Sequence, residues 1–212
     1  MAFNHAVTSE GDLRGRYRPP GGRSLDKEID HLDAAARSFI AASPFVVVAS
    51  SGPGGADASP KGGPPGFVQV LDDHRLAIPD LAGNNRLDSF ANFVTNPAVG
   101  LLFLVPGLDE TLRVNGRATL TEDPVVLDAC VVDGKRPRLA VGVDVDACYL
   151  HCAKAFRRAG VWDPSSWLPE DQRPDAACVL RDHAGMVDVE PSLIRAALEE
   201  SYATTMWEVG GS

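Results

Sequence analysis

The residues best suited to chemistry are Lys61, Asn84, Asn85 and Arg86, all within SPKGGPPGFVQVLDDHRLAIPDLAGNNRLDSFANFVTNP, which runs from Ser59 to Pro97. A phosphate monoester carries close to two negative charges, so its site needs cations and several hydrogen-bond donors. Arg86 stands at the start of an expected helix, where free N–H groups and the dipole attract anions. Asn84 and Asn85 add amide donors or cap that helix. Lys61 supplies a second charge, and Arg113 a third if its strand lies beside the hairpin. Between these turns the strand residues Phe67-Val68-Gln69 offer a surface for a flat ring, and the glycines of GGPPGF let backbone approach a ring edge. Asp80 either contacts such a ligand or ends a strand. The pattern suggests a site for a phosphorylated planar cofactor, while the same residue types also describe a capped helix with surface cations.

Other chemistries find less support. The nucleotide motifs GxxxxGK[ST] and GxGxxG after a strand are absent, as are HExxH and GxSxG. His5, His31, His74, His151 and His183 are scattered, so the acid–base equipment of a hydrolase is missing. Asp72-Asp73 falls in a hairpin turn, where aspartates serve structure. Cys148, His151 and Cys152 offer soft ligands on one expected helical turn, but no fourth ligand is near, and no metal site is expected. Cys130, Cys148, Cys152 and Cys178 form no CxxC pair and read as reduced, buried thiols. Tyr149, Lys154, Trp162 and Trp167 cluster late in the chain, where they either cover a ring or an anionic substrate or anchor a core or interface.

The elements that must position these residues follow from periodicity. Leu25, Ile29, Leu32, Ala36, Phe39 and Ile40 recur at helical spacing after a Ser24 cap, predicting one helix up to Ser43-Pro44. Phe45 to Ser50 reads as a strand covered on both faces, followed by a turn and a short pairing segment near Ala56–Ser59. Phe67–Leu71 and Arg75–Pro79 form a hairpin, and Asn85 to Val94 a helix with Leu87, Phe90 and Phe93 inward. Val99–Val105 and Thr111–Thr121 are strands, with Gly116 marking a bulge or a close backbone approach. A helix from Asp123-Pro124 to Val132, a strand at Leu139–Val145 and helices near 151–159, 174–183 and 190–206 complete the reading. About six strands joined by short turns predict a mainly β, α+β fold, a six-stranded antiparallel split barrel with flanking helices.

The bulk properties bound the function. The chain has 212 residues, 44% hydrophobic and 23% charged, with a net charge of −9, which opposes a duplex-binding surface. No apolar run reaches the roughly 18 residues of a membrane span, and the amino terminus lacks the apolar middle of a signal peptide, so a cytoplasmic address is expected. The organisation expected is an arm (1–23), a barrel domain (24–170) and a helical carboxy-terminal extension (171–212).

At these residues the chain resembles the pyridoxamine 5′-phosphate oxidase-like, FMN-binding split-barrel superfamily, and more narrowly an uncharacterised bacterial subgroup of it. The stretches that carry the resemblance are RSLDKEIDHLDAAARSFIAASPFVVVAS, SPKGGPPGFVQVLDDHRLAIPD, GNNRLDSFANFVTNPAVGLLFLVPG, ETLRVNGRATLTED and DVDACYLHCAKAFRRAGVWDP. The resemblance implies a homodimer of six-stranded split barrels with two FMN molecules at the subunit interface. By it, Gly66, Phe67, Val68 and Gln69 run along the isoalloxazine, with Pro79 and Asp80 at a strand end near the ring. It also implies that Asn84, Asn85 and Arg86 form the phosphate turn, that Thr111 and Arg113 lie on a strand reaching the cofactor, and that Lys61 is a subgroup-specific contact. Lys154 and Trp162 are candidates for substrate or partner-subunit contacts. The pyridoxamine phosphate oxidases proper carry an arginine-rich strand opening and a Ser-Arg-Lys turn where this chain reads GFVQV and GNNR. The resemblance therefore points to an FMN-dependent oxidoreductase of unknown substrate. Its alternatives are a deazaflavin- or haem-binding split barrel and a non-catalytic, stress-associated flavin-binding module.

Overall fold

In the computed structural model, which describes residues 3–210, the arm forms α1 (Glu10–Arg14) and α2 (Gly22–Asp26), neither with a buried residue. The single helix expected from Ser24 onward is not formed. Helix α3 (Ala34–Ala42) begins only at Asp33, whose carboxylate accepts the Ala36 N–H at 2.7 Å. It ends at Ser43, before Pro44, as the proline requires. Then come β1 (Phe45–Gly52), β2 (Gly55–Gly62), β3 (Gln69–Val70), β4 (Arg75–Pro79), α4 (Asp88–Thr95), β5 (Ala98–Leu104) and β6 (Thr111–Thr121). Helix α5 (Pro124–Ala129), β7 (Ala140–His151), α6 (Lys154–Ala159), α7 (Ala176–His183) and α8 (Pro191–Thr205) follow.

All strand pairs are antiparallel and join one seven-stranded sheet in the order β2-β1-β5-β6-β7-β4-β3. The terminal strands β2 and β3 do not bond to each other, so the curled sheet remains a split barrel. Among the described residues the strand count is seven rather than six because β2 pairs along all eight residues of β1, where only a short segment was expected. The hairpin strand expected from Phe67 contracts to Gln69–Val70.

The register explains where the helix prediction failed. Strand β4 covers only Ala140–Asp144 of β7, leaving the far half of that edge open. Ile29 fills it, donating to the Cys148 carbonyl at 3.0 Å and accepting the Cys148 N–H at 2.7 Å. Residues around Ile29 are thus held extended by tertiary pairing, and Leu25 is left 61% exposed. The same long ladder keeps β7 extended as far as His151, so Cys148, His151 and Cys152 do not share a helical turn. Cys148 is buried, with burial pushing its thiol up to about 11, while Cys152 is exposed. Cys130 is buried with its thiol likewise pushed up to about 11, and Cys178 is half-buried.

Alternation along each strand sends one set of side chains into the barrel. Val46 and Val48 of β1, Leu101 and Phe103 of β5, Leu112 and Val114 of β6, and Val141 and Val143 of β7 meet there with Ile40 and Leu32. Each fully buried aliphatic or aromatic side chain of this kind stabilises by about 1.5–3 kcal/mol. Among the described residues no helix is long and apolar enough to cross a membrane.

Gly116 supplies both features its sequence position suggested. The β6–β7 register shifts between Asn115 and Gly116, and a Cβ on Gly116 would overlap the Asp144 carbonyl oxygen. Gly116→Ala is therefore expected to destabilise the fold by about 1–3 kcal/mol, read as a lower midpoint in urea. An unchanged midpoint would show that the ladder absorbs a methyl group at its bend.

Candidate functional site

Two adjoining cavities, of ≈ 220 and ≈ 260 Å³, open between the edge strand β2, the end of β4 and helix α4. Their chemistry differs. The first is polar and includes Lys61, Asn84, Asn85 and Arg86 in its wall. The second is lined on its apolar side by Val48, Phe67, Ile78, Pro79, Phe90 and Phe93. Lys61, Asp80, Asn84 and Ser89 stand at the junction and line both.

The period of two in β2 puts Asp57, Ser59 and Lys61 on the face turned to the cleft, half-buried, while Ala58 and Pro60 point to solvent. Pro60 is tolerated because β2 is a sheet edge. Lys61 Nζ lies 5.8 Å from the centroid of the Phe90 ring, a cation–π contact that holds the ammonium at the mouth of the apolar cavity. Strand β4 delivers Asp80 as it ends, followed by the GNNR turn. There Asn84 Oδ1 accepts the Arg86 N–H at 3.1 Å, and Asn85 and Leu87 adopt left-handed φ of 53° and 58°.

Leu87 is the N-cap of α4 and has no side chain able to cap it. The amino-terminal N–H groups of an eight-residue helix thus open on the polar cavity, which Asp88, Ser89 and Phe90 line. Asn84 caps the turn before the helix and not the helix itself.

Carboxylates balance these donors. Arg86 Nε bonds Asp88 Oδ2 at 2.7 Å, and Ser89 Oγ donates to Asp57 Oδ2 at 2.6 Å. Burial raises the Asp80 carboxyl above its ordinary 3.8, and nearby Lys61 offsets part of that rise. Among the described residues these acids form no group placed to hold a metal ion. The Arg86–Asp88 pair is 71% and 48% exposed, and such pairs hold by only ~0–1 kcal/mol. An incoming dianion can therefore recruit Arg86 at small cost. The donor set fits a phosphate, and the apolar cavity beside it fits a ring.

The structure brings together Lys61, Phe67, Pro79, Asp80, Asn84, Asn85 and Arg86. Gly66 sits at φ 79°, its N–H bonded to the Ser43 carbonyl at 3.2 Å, and its carbonyl accepts Gln69 Nε2 at 2.8 Å. Val68 is in the core and Gln69 half-buried on β3, both outside the cavity walls. Thr111 is buried, and Arg113 lies on the outer face of the sheet 5.9 Å from the Tyr149 ring, away from this cleft within one chain. Lys154 is exposed at the start of α6, and Trp162 donates its indole N–H to the Leu108 carbonyl at 2.9 Å. Sequence reasoning missed Asp57 and Ser89, whose alternation on β2 and position in the first turn of α4 were readable. It also missed Gly210, whose place in the wall has no local signal.

A sequence model of the family described as pyridoxamine 5′-phosphate oxidase matches residues 32–152. Similar solved structures include a Group A Streptococcus HupZ variant, 13% identical, covering 57% of this chain and 99% of that one at a TM-score of 0.47. A putative pyridoxamine 5′-phosphate oxidase from Lactobacillus delbrueckii is 18% identical, covering 57% and 95% at a TM-score of 0.44. An FMN-binding protein from Syntrophomonas wolfei is 12% identical, covering 55% and 84% at a TM-score of 0.44. No curated protein matches the sequence.

Asp80 yields a pH test. A carboxyl whose folded pKa is raised contributes stability below its ordinary value of 3.8 and loses it as pH climbs through the raised value. Asp80→Asn is therefore expected to be more stable than the parent at pH 7, with the gain gone below about pH 4. Urea melts at both pH values check this, and a variant less stable at pH 7 would contradict the sign.

Proposed function

The chain belongs to the pyridoxamine 5′-phosphate oxidase family, and from that premise we propose that it is a flavoprotein that holds FMN in the cleft between β2, β4 and α4. The observation that carries the reading is the uncapped amino terminus of α4 opening on a cavity walled by Lys61, Asn84, Asn85 and Arg86. Helix N–H groups, two cations and two amides are the donors a phosphate dianion needs. The adjoining wall of Phe67, Ile78, Pro79 and Phe90 is the apolar surface a ring needs. Among the described residues no histidine, cysteine or methionine lines either cavity, so these walls offer no soft axial ligand for haem iron.

Bound FMN would supply hydride or single-electron transfer, and on this reading the protein is an FMN-dependent oxidoreductase. The side chains' part is to bind and orient. Lys61 and Arg86 neutralise the phosphate, the α4 amides fix its position, and the apolar wall excludes water from one side of the ring. No side chain in the cleft need move a proton, which matches the lack of histidine among the described residues that line it.

A homodimer completes the site. The outer face of the sheet carries half-buried Phe45 and Val47 of β1 beside Leu104 and Leu102 of β5, in register. Leu102 stands opposite Arg113, and Arg113 opposite Tyr149. An apolar stripe with a cation at its margin suits burial against a second copy. Such pairing would bring the partner's Thr111 strand toward the cofactor, the role for which Thr111 and Arg113 are proposed. Lys154 and Trp162, beyond the end of β7, are proposed to contact substrate or the partner subunit.

Arg86→Ala is expected to weaken FMN binding about 10- to 100-fold, the equivalent of roughly 1.5–3 kcal/mol for a charge-assisted contact. Thermal stability should barely change, since the Asp88 pair it breaks is exposed. Fluorescence titration reads the affinity, and a wild-type value would move the phosphate elsewhere. Leu102→Asp should convert a dimer of about 45 kDa, twice the 22.5 kDa chain, to monomers in light scattering and release flavin with it. A monomeric parent that keeps its FMN would overturn the shared site.

A further inference from the structure

The chain does not trail away after α8. It turns back at Thr205, whose carbonyl accepts the Glu208 N–H at 3.0 Å, and runs antiparallel to the segment following β4. Ala82 N–H donates to the Glu208 carbonyl at 2.9 Å, Gly210 N–H donates to the Asp80 carbonyl at 3.2 Å, and Val209 stands opposite Leu81. The Glu208 carboxylate meets Lys135 Nζ at 2.8 Å. Lys135 belongs to the turn after α5, set by the positive φ of Asp133 and Gly134, and lines neither cavity.

Gly210 is buried, forms part of the wall of the polar cavity, and lies so near Asp80 that a Cβ there would overlap its carboxylate. Tail and cleft are thus one surface. Asp80, which takes the tail's hydrogen bond on its carbonyl, also lines both cavities, as Lys61 and Asn84 do. We infer that residues 207–210 form a strap that closes the anion end of the cleft and slows release of a phosphorylated ligand. The inference rests on the reading of this cleft as the FMN site.

The strap's attachments suit a part that opens. They include two cross-strand backbone hydrogen bonds and an ion pair that is 40% and 41% exposed. Such contacts contribute little beside a packed core, so the strap can detach while the barrel stays folded. Lys135 neutralises Glu208, so among the described residues the strap adds no unpaired carboxylate to a cleft that already contains Asp57, Asp80 and Asp88. At Gly210 the strap packs directly against the Asp80 carboxylate, which would have to shift to admit a Cβ there.

The test is the FMN off-rate, followed by flavin fluorescence after dilution. It compares the full chain with a chain ending at Met206 and with Lys135→Glu, Glu208→Lys and their double variant. Truncation should speed release about tenfold and each single reversal several-fold, with the double reversal restoring the parent rate. Lys135→Glu acts at a distance from the cavity, so its effect and its rescue separate strap closure from damage to the wall. Hydrogen exchange at the Ala82 amide should be slow in the full chain and fast in the truncated one. An off-rate within about twofold of the parent after truncation, or fast Ala82 exchange in the full chain, would overturn the strap while leaving the flavin reading intact. A full chain that takes up no FMN would overturn the flavin reading and the retention role with it.

Discussion

The rest of the structure depends on the antiparallel ladder between β6 and β7. It runs from Thr111 opposite His151 to Thr121 opposite Ala140, bent once where Gly116 admits the Asp144 carbonyl. Strand β5 hangs on one side of it and β4 on the other, so the bend sets how far the sheet curls. Where β4 ends, Asp80 and the turn to α4 begin, and where β5 pairs onward, β1 and β2 bring Lys61 round to meet them. The cleft is the gap between two arms of one sheet that share this spine. Residues far apart in the ladder order thereby face one another without being hydrogen-bonded.

The cleft's electrostatics are those of a site kept ready but not strongly charged. Its cations are Lys61 and Arg86, its carboxylates Asp57, Asp80 and Asp88. Each cation has an internal partner, Lys61 the Phe90 ring and Arg86 the Asp88 carboxylate. The Arg86–Asp88 pair keeps its cation oriented without drawing the cleft shut, because that pair is exposed and therefore weak. On the proposed reading a bound dianion would exchange these partners, with the helix amides adding what the side chains lack. A net acidic chain can thus hold an anion locally, since short-range donors outweigh a diffuse surface charge screened over about 8–10 Å.

The apolar outer face and the carboxy-terminal tail complete the same design from opposite sides. The face formed by Val47 and Leu102 is only half-buried in one chain, although the side chains alternating with them, Val48 and Leu101, form the core. The tail, in contrast, is bonded to the cleft's own wall. The tail places Gly210, from a distant part of the sequence, beside Asp80 within the chain.

Much of this was legible in the sequence, and the failures share a cause. Thr111–Thr121 was read to the residue, Gly116 was read as a bulge or close approach, and the helix after Arg86 was placed within about three residues. Periodicity reports local burial, and turn residues report local backbone, so elements whose partners lie close by were visible. Residues Leu25 to Leu32 read as helix because their apolar spacing was helical, yet Ile29 is extended because a free edge of β7, 119 residues away, takes its hydrogen bonds. The length of β2, the extension of β7 to His151 and the seventh strand were likewise set by partners and not by propensity. By itself the sequence determined which donors exist, Lys61, Asn84, Asn85 and Arg86, and that they flank apolar strands. Only the tertiary structure decided that they share one cavity, that Arg113 lies outside it and that Gly210 lines it. Side-chain chemistry belongs to the residue, but proximity is created by long-range pairing, which no local pattern encodes.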